Sequence, residues 1–432
     1  MTDPVRTAPA PTLQAHQGAD PAALTEALET LMHFGALILR AGNAAFRVRQ
    51  WMNELARAMG IDALAVHIAI GGGMTATARR GGEHVTLASE IAPLGINASR
   101  LGLLERLARE ARPGLTTEEL AAKLKAIEAE PPFYSLAVTA AAVGAASGAF
   151  SFLNSGGPSE IVSAFIGGAV GQSLRSLLFR YRYNQYAVTA LCAAIASGVY
   201  VVVAHALARA GLPVSPHAAG FISSALFLVP GFPLIAGLLD LVQHQIVAGI
   251  TRLTYALMVL TAAAFGLCLV ASAASLSISP PPPPQFDELS LLGLRALASF
   301  AGGCGFAILY NSTHRTVLTV GCLALVGNEL RLAVHDAGMQ LALATFLGAL
   351  VVGLLASVVR PWLREPRIAL TVPGVIIMVP GTYAFQTVVL LDEGNVLAAL
   401  QAASLGAFVV GAMALGLAAA RLVSQRGWIV ES

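Results

Sequence analysis

From Tyr134 onward, long apolar runs alternate with short polar loops. A run of about twenty apolar residues is the length a helix needs to cross a bilayer core. Ten such runs can be marked, at roughly 134–153, 159–179, 186–208, 217–239 and 248–275, then 289–310, 315–334, 339–359, 367–390 and 396–420. Residues 21–133 are patterned differently. Leu24, Leu28, Leu31, Gly35, Leu39, Phe46 and Met52 recur with a roughly helical period, from a start at Asp20-Pro21 to a stop at Gly60. Arg40, Arg47, Arg49 and Arg57 fall on the polar face. Three short strands are predicted at 63–70, 74–80 and 84–88, joined by Gly71-Gly72-Gly73 and Gly81-Gly82. Two further helices are expected near 99–112 and 117–130, the second opened by the capping box Thr116-Thr117-Glu118-Glu119.

The two halves contain matching interruptions within long apolar runs, Val229-Pro230-Gly231 and Val379-Pro380-Gly381, 150 residues apart. Proline removes a backbone donor and clashes one turn back, and glycine loosens the turn after it. Within lipid such a break is tolerated only where the freed backbone groups face protein, water or a ligand. Paired breaks in two halves of a membrane protein point to a transporter site near the midplane. Other segments correspond too. Asn154-Ser155 matches Asn311-Ser312, the stretch ending in Gln172 and Arg175 matches the one ending in Asn328 and Arg331, Arg209 matches Arg360, and Asp240 matches Asp392. A third motif, Val372-Pro373-Gly374, has no partner and is expected as a helix start. Five spans per half is an odd number, so the second half must enter the membrane from the opposite side.

The expected fold class is therefore an α-helical polytopic membrane protein. It has ten transmembrane helices as a five-plus-five inverted repeat and a small N-terminal α+β cytoplasmic domain. The boundaries are a disordered tail at 1–20, the α+β domain at 21–133, the first membrane repeat at 134–276, a Pro-rich extracytoplasmic linker at 277–288, the second repeat at 289–421 and a cytoplasmic tail at 422–432. Composition agrees: 56% of residues are hydrophobic and 12% charged, against about 25% charged in soluble domains. A net charge of +2 gives no reason to expect a nucleic-acid partner. Orientation is read from loop arginines. With the N-terminal domain in the cytoplasm, Arg175, Arg180, Arg182, Arg252, Arg315, Arg360, Arg364, Arg367, Arg421 and Arg426 lie inside, and Arg209, Arg295 and Arg331 outside. Both termini are then cytoplasmic. Cys192, Cys268, Cys304 and Cys322 all fall in apolar segments and fit no metal or disulfide spacing.

The candidate substrate groups are Pro230, Gly231, Pro380 and Gly381 at the breaks, with Asn154, Asn311, Gln172, Asn328 and Arg331 around them. Half-helix ends carry partial charges of both signs, which suits a zwitterionic amino acid. The bland alternatives are packing kinks and, for Arg175 beside Arg180 and Arg182, headgroup anchoring. Asp240 and Asp392 are candidates for proton coupling, against a plain role as helix-end acids. Glu160 comes after Pro158-Ser159 and reads as a first-turn helix acid. His244 and His314 lie near spans and could titrate near neutrality. Gly71-Gly72-Gly73 lacks the rest of a P-loop and reads as a hairpin turn. No metal, nucleotide or nucleophile motif is found, so neither a cofactor nor an enzymatic activity is expected.

The segment from Ile38 to Val48, with Ile61-Asp62, the strand at 66–70, Gly95-Ile96-Asn97 and Arg100-Leu101, resembles the N-terminal domain of threonine/serine exporters. The ten-span region with its paired breaks is similar to the family's membrane part. The resemblance spans residues 24 to 421 and implies export of L-threonine and L-serine driven by the proton motive force, in a bacterial inner membrane. Its expected partners are the amino-acid substrate, protons and the lipid bilayer, and it is compatible with a homo-oligomer. Relatives whose two parts are separate proteins are implicated in succinate export. A dicarboxylate such as succinate is thus the first alternative, with Arg175 and Arg331 as its cations. A membrane-embedded ligand sensor is the second, and hydrolysis by His67, Asp62, Thr75 and Thr77 a third. The N-terminal domain, tethered by Glu130-Pro131-Pro132-Phe133, is placed to gate the inner entrance.

Overall fold

The computed structural model describes residues 21–69, 73–90, 95–181, 183–213, 219–274 and 286–424. The tail expected at 1–20, the glycine turn at 71–72, the proline run and all but the first residues of the C-terminal tail lie outside the described residues.

The N-terminal domain comprises α1 (Pro21–Arg40), α2 (Ala45–Ala58), β1 (Ala63–Ala69), β2 (Gly73–Arg80), β3 (Glu83–Ser89), α3 (Ala98–Arg109) and α4 (Thr117–Ala129). The strands pair antiparallel in the order β1-β2-β3. Period-two alternation along β1 turns Leu64, Val66 and Ile68 into the core. The Thr116 hydroxyl caps α4 by accepting from the Glu119 N–H at 3.2 Å. Helix α1 is by length and composition apolar enough to cross a bilayer. Instead its Leu24, Leu28, Leu31, Phe34 and Ile38 are buried against α2 and the sheet.

The helical period predicts one helix from residue 21 to Gly60, and the structure divides it. The chain turns at Ala41–Ala44, where Gly42 takes φ +101°. Few other residues adopt that conformation. A side chain there would also meet the Phe232 ring at 3.0 Å.

The membrane region runs α5 (Leu136–Leu153), α6 (Pro158–Arg180), α7 (Gln185–Arg209), α8 (Ala219–Ser223), α9 (Gly231–Val242) and α10 (Ile246–Ala273). It continues α11 (Glu288–Leu309), α12 (His314–Asp336), α13 (Leu341–Leu363), α14 (Arg367–Val375), α15 (Gly381–Asp392) and α16 (Val396–Ser424). Among the described residues nine helices are long and apolar enough to span: α1, α5, α6, α7, α10, α11, α12, α13 and α16. The α14–α15 pair is apolar and bent by 50° at its break, the geometry of a broken span or a re-entrant loop, and Leu226–Val242 is a shorter apolar helix. One turn of 3-10 helix precedes each break, Leu226–Leu228 and Ile376–Met378.

Element order repeats in the two halves with a measurable register. Helices α6 and α12 start at Pro158 and His314, and α7 and α13 at Gln185 and Leu341, 156 residues apart in each case. From the 3-10 turns onward the spacing is 150, as for α9 and α15 starting at Gly231 and Gly381. This register corrects two of the sequence correspondences. Asn311 matches Ser155 rather than Asn154, and both have left-handed backbones that end a helix, φ +56° and +68°. Asp240 matches Leu390 rather than Asp392. Helix ends are set by backbone geometry, and side-chain identity near them drifts. Pro373 lies inside α14 near its last turn, not at a helix start.

Candidate functional site

The two Val-Pro-Gly breaks have the same backbone. Val229 and Val379 are extended, at φ, ψ of −64°, 121° and −66°, 127°. Pro230 and Pro380 come next, at −80°, 54° and −81°, 63°. The Gly231 N–H donates to the Val229 carbonyl at 2.8 Å and the Gly381 N–H to the Val379 carbonyl at 2.9 Å. Each break is thus an inverse γ-turn centred on proline, a place where proline's missing donor and fixed φ cost nothing. The breaks also touch each other. A Cβ on Gly231 would lie 2.7 Å from Ile376 of the opposite half, and one on Gly381 would lie 3.6 Å from Val229. The positive ends of α9 and α15 and the negative ends of the two 3-10 turns therefore meet at one crossing.

One conspicuous arginine flanks each break. In the second half, Met378 packs against Gly327 and Gly348, and one turn beyond Gly327 lies Arg331. Its Nη1 donates to Asn328 Oδ1 at 3.0 Å and its Nε to Thr345 Oγ1 at 3.2 Å. Asn328 Nδ2 in turn donates to Ser299 Oγ at 2.9 Å. In the first half, Gly171 packs on the Phe227 ring, and one turn on lies Arg175, with its Cζ 5.1 Å from the centre of the Phe179 ring. Gln172 Nε2 donates to Ser176 Oγ at 3.1 Å.

Asp240 is fully buried and holds the N-terminal domain. Its Oδ1 accepts from the Ala45 N–H at 2.8 Å, at the start of α2, and its Oδ2 lies 3.6 Å from Arg252 Nε. Arg252, 1% exposed, donates from Nη2 to the Asn43 carbonyl at 2.8 Å. The corner between α1 and α2 is thereby pinned against α9, with Gly42 on Phe232. Phe232 meets Tyr310 edge-on at 5.6 Å. The Tyr310 carbonyl accepts from the Ala98 N–H at 2.8 Å.

Asn311 joins the same seam, accepting from the Phe133 N–H at 2.8 Å and donating to Asn97 Oδ1 at 3.1 Å. Glu105 of α3 bonds Arg360 and Arg109, each at 2.7 Å. The domain thus contacts the α9–α10, α11–α12 and α13–α14 connections, which is every second connection and so one face. Burial, opposed by Glu105 and reinforced by Arg360 and Arg109, pushes the Arg47 guanidinium down to about 10. Burial pushes Glu365, in the α13–α14 connection, up to about 7, against the pull of Arg106.

The structure gathers Pro230, Gly231, Pro380 and Gly381 at one crossing, with Gln172, Asn328 and Arg331 flanking it. Asn154 Nδ2 donates to the Phe150 carbonyl at its own helix end, at 2.8 Å, away from the crossing. The Asp392 side chain lies outside the described residues. Glu160 caps its own helix, accepting from the Gly157 N–H. Of the four polar groups of the hydrolytic alternative, Asp62 and Thr77 are already engaged, Asp62 accepting from the Gly81 N–H at 2.6 Å and Thr77 bonding Thr86 at 2.9 Å. His67 and Thr75 are cross-strand neighbours on β1 and β2. Sequence reasoning missed Arg252, counting it as a loop residue. A lone arginine inside an apolar run was the available signal.

The helical content, the apolar spans and the paired breaks define a multi-pass membrane protein. A family model described as threonine/serine exporter matches residues 29–274. A second, described as threonine/serine exporter, ThrE, matches residues 295–423. The chain belongs to the threonine/serine exporter family. No solved structure matches it.

Proposed function

We propose that this protein exports L-threonine and L-serine from the cytoplasm, driven by the proton motive force. It works by alternating access in a bacterial cytoplasmic membrane, with both termini inside. The observation that carries the reading is the crossing of the two Val-Pro-Gly turns, Gly231 against Ile376 and Val379, and Gly381 against Val229. Two half-helix N-termini and two 3-10 C-termini converge there, offering partial positive charge to a carboxylate and partial negative charge to an ammonium. The register of 156 and then 150 residues supports two five-span repeats, the broken α8–α9 and α14–α15 segments each counting as one span. An odd span number makes the repeats antiparallel, and rocking one against the other would expose the crossing to alternate sides.

Asp240 is the leading proton-coupling group of this reading. Protonation would remove the charge that faces Arg252 and weaken the acceptor at Ala45, loosening the N-terminal domain from the inner face. Asp392 remains the second proton-coupling candidate.

The test is efflux of radiolabelled threonine from preloaded proteoliposomes under an imposed pH gradient, with succinate in parallel. Gradient-dependent threonine movement, lost in Pro230→Ala/Pro380→Ala, is expected. Succinate movement without threonine movement would transfer the function to dicarboxylate export, and movement of neither would favour the sensor.

A further inference from the structure

The arginines at matching positions of the two repeats are used differently. Arg331 engages its Nε with Thr345 and its Nη1 with Asn328. Arg175, 156 residues earlier, has its Nε buried with no hydrogen-bond partner among the described residues. Gln172, the match of Asn328, is 5% exposed. It turns its Nε2 to Ser176 and leaves its Oε1 buried without a donor among the described residues. Thr189, the match of Thr345, donates its hydroxyl to the Gln185 carbonyl at 2.8 Å and receives nothing from the Arg175 Nε. Native interiors rarely leave a donor and an acceptor unmet one turn apart unless something else fills them.

The surroundings fit a ligand. The Arg175 guanidinium lies over the Phe179 ring, with Cζ 5.1 Å from its centre, and so presents its edge rather than its face to a ligand. Gly171, one turn earlier, lies on the Phe227 ring, three residues before Pro230. Arg175 lies near the C-terminal end of α6, which opens the α6–α7 connection, and that connection falls in the same every-second series as the docked α9–α10, α11–α12 and α13–α14 connections when α8–α9 counts as one span.

We infer that Arg175 and Gln172 form a loading site for an α-amino-acid headgroup on the N-terminal-domain side of the break, Arg175 taking the carboxylate and Gln172 Oε1 the ammonium. The inference rests on the exporter reading and deepens it by placing where cargo first binds. A guanidinium fork suits a carboxylate. An amide oxygen takes only a donor, which an ammonium supplies and a second carboxylate does not. The pair therefore selects a zwitterion over a dicarboxylate.

The test is equilibrium binding of radiolabelled L-threonine to the full chain in lipid nanodiscs, with L-serine and succinate as competitors. Arg175→Gln is expected to weaken threonine binding about tenfold to a hundredfold, and Gln172→Leu about tenfold, from the usual strength of charge-assisted hydrogen bonds. Lys123→Gln, which alters the exposed 2.6 Å pair with Glu119 on α4, is expected to bind as wild type. If Arg175→Gln does not fold, Arg175→Lys carries the test, because it keeps the charge and loses the fork; a loss of about fivefold is expected.

Wild-type threonine affinity in the Arg175 and Gln172 variants alike would overturn the site while leaving the exporter reading intact. A wild-type protein that binds neither threonine nor serine would overturn both. Succinate displacing threonine more strongly than serine does would overturn the ammonium assignment.

Discussion

Replacing Asp240 with alanine should release the corner of the N-terminal domain that α9 holds. The substitution removes the only carboxylate within 4 Å of Arg252 among the described residues and the acceptor at the first turn of α2. Leaving a buried charge without its partner costs about 3–5 kcal/mol, and losing a helix cap about 1 kcal/mol. Arg252 keeps its bond to the Asn43 carbonyl at 2.8 Å, which favours the lower end. A net effect of about 3 kcal/mol corresponds to local opening on the order of a hundredfold more frequent. Hydrogen exchange of residues 45–48 in nanodiscs reads that opening directly. Asp240→Asn, which keeps an acceptor and loses the charge, should fall between wild type and alanine. Asp240→Leu/Arg252→Met removes both charges and should recover most of the protection, because the desolvation cost disappears with the pair. Exchange unchanged in Asp240→Ala, or a double variant no better protected than the single one, would refute the latch.

Other outcomes rest on the same geometry. Gly231→Ala places a methyl group 2.7 Å from Ile376 and should lower the melting temperature, with an overpacking cost of about 1–3 kcal/mol. Gly381→Ala meets only ordinary contact at 3.6 Å and should be much milder; equal effects would contradict the crossing. Burial raises the Glu365 carboxyl to about 7, above its ordinary 4.5, so the folded state holds its proton more tightly than the unfolded. The resulting stability is complete below about pH 4.5 and lost as pH rises through 7. The melting temperature should therefore fall across that window in wild type, and Glu365→Gln should flatten this component of the profile. Arg360→Ala should loosen α3 from α13, read as faster exchange over 98–109, because it takes from Glu105, 7% exposed, one of two guanidinium partners.

Much of the fold was legible because a bilayer leaves few options. Long apolar runs must be helices, and proline with glycine inside such a run must mark a break. The pattern from 134 to 420 therefore located eight long apolar helices, while the expected spans at 217–239 and 367–390 are each divided at their Val-Pro-Gly break, and the strands at 63–69, 73–80 and 83–89 were readable from period-two alternation and glycine turns. The N-terminal helix was less legible. Its apolar period continues through Gly42, and only packing against Phe232 shows why the chain turns there.

The sequence by itself determined the class of protein, the pairing of the two breaks and the family to which the chain belongs, since these depend on composition, periodicity and local backbone chemistry. Only the tertiary structure decided that the breaks cross, that Asp240 and Arg252 anchor the N-terminal domain, and that the Arg175 Nε has no hydrogen-bond partner among the described residues where that of Arg331 has one. Those are contacts between residues far apart in the chain. Asp240 and Ala45, for instance, are separated by 195 positions. Local patterning carries no record of which distant donor will complete a buried acceptor.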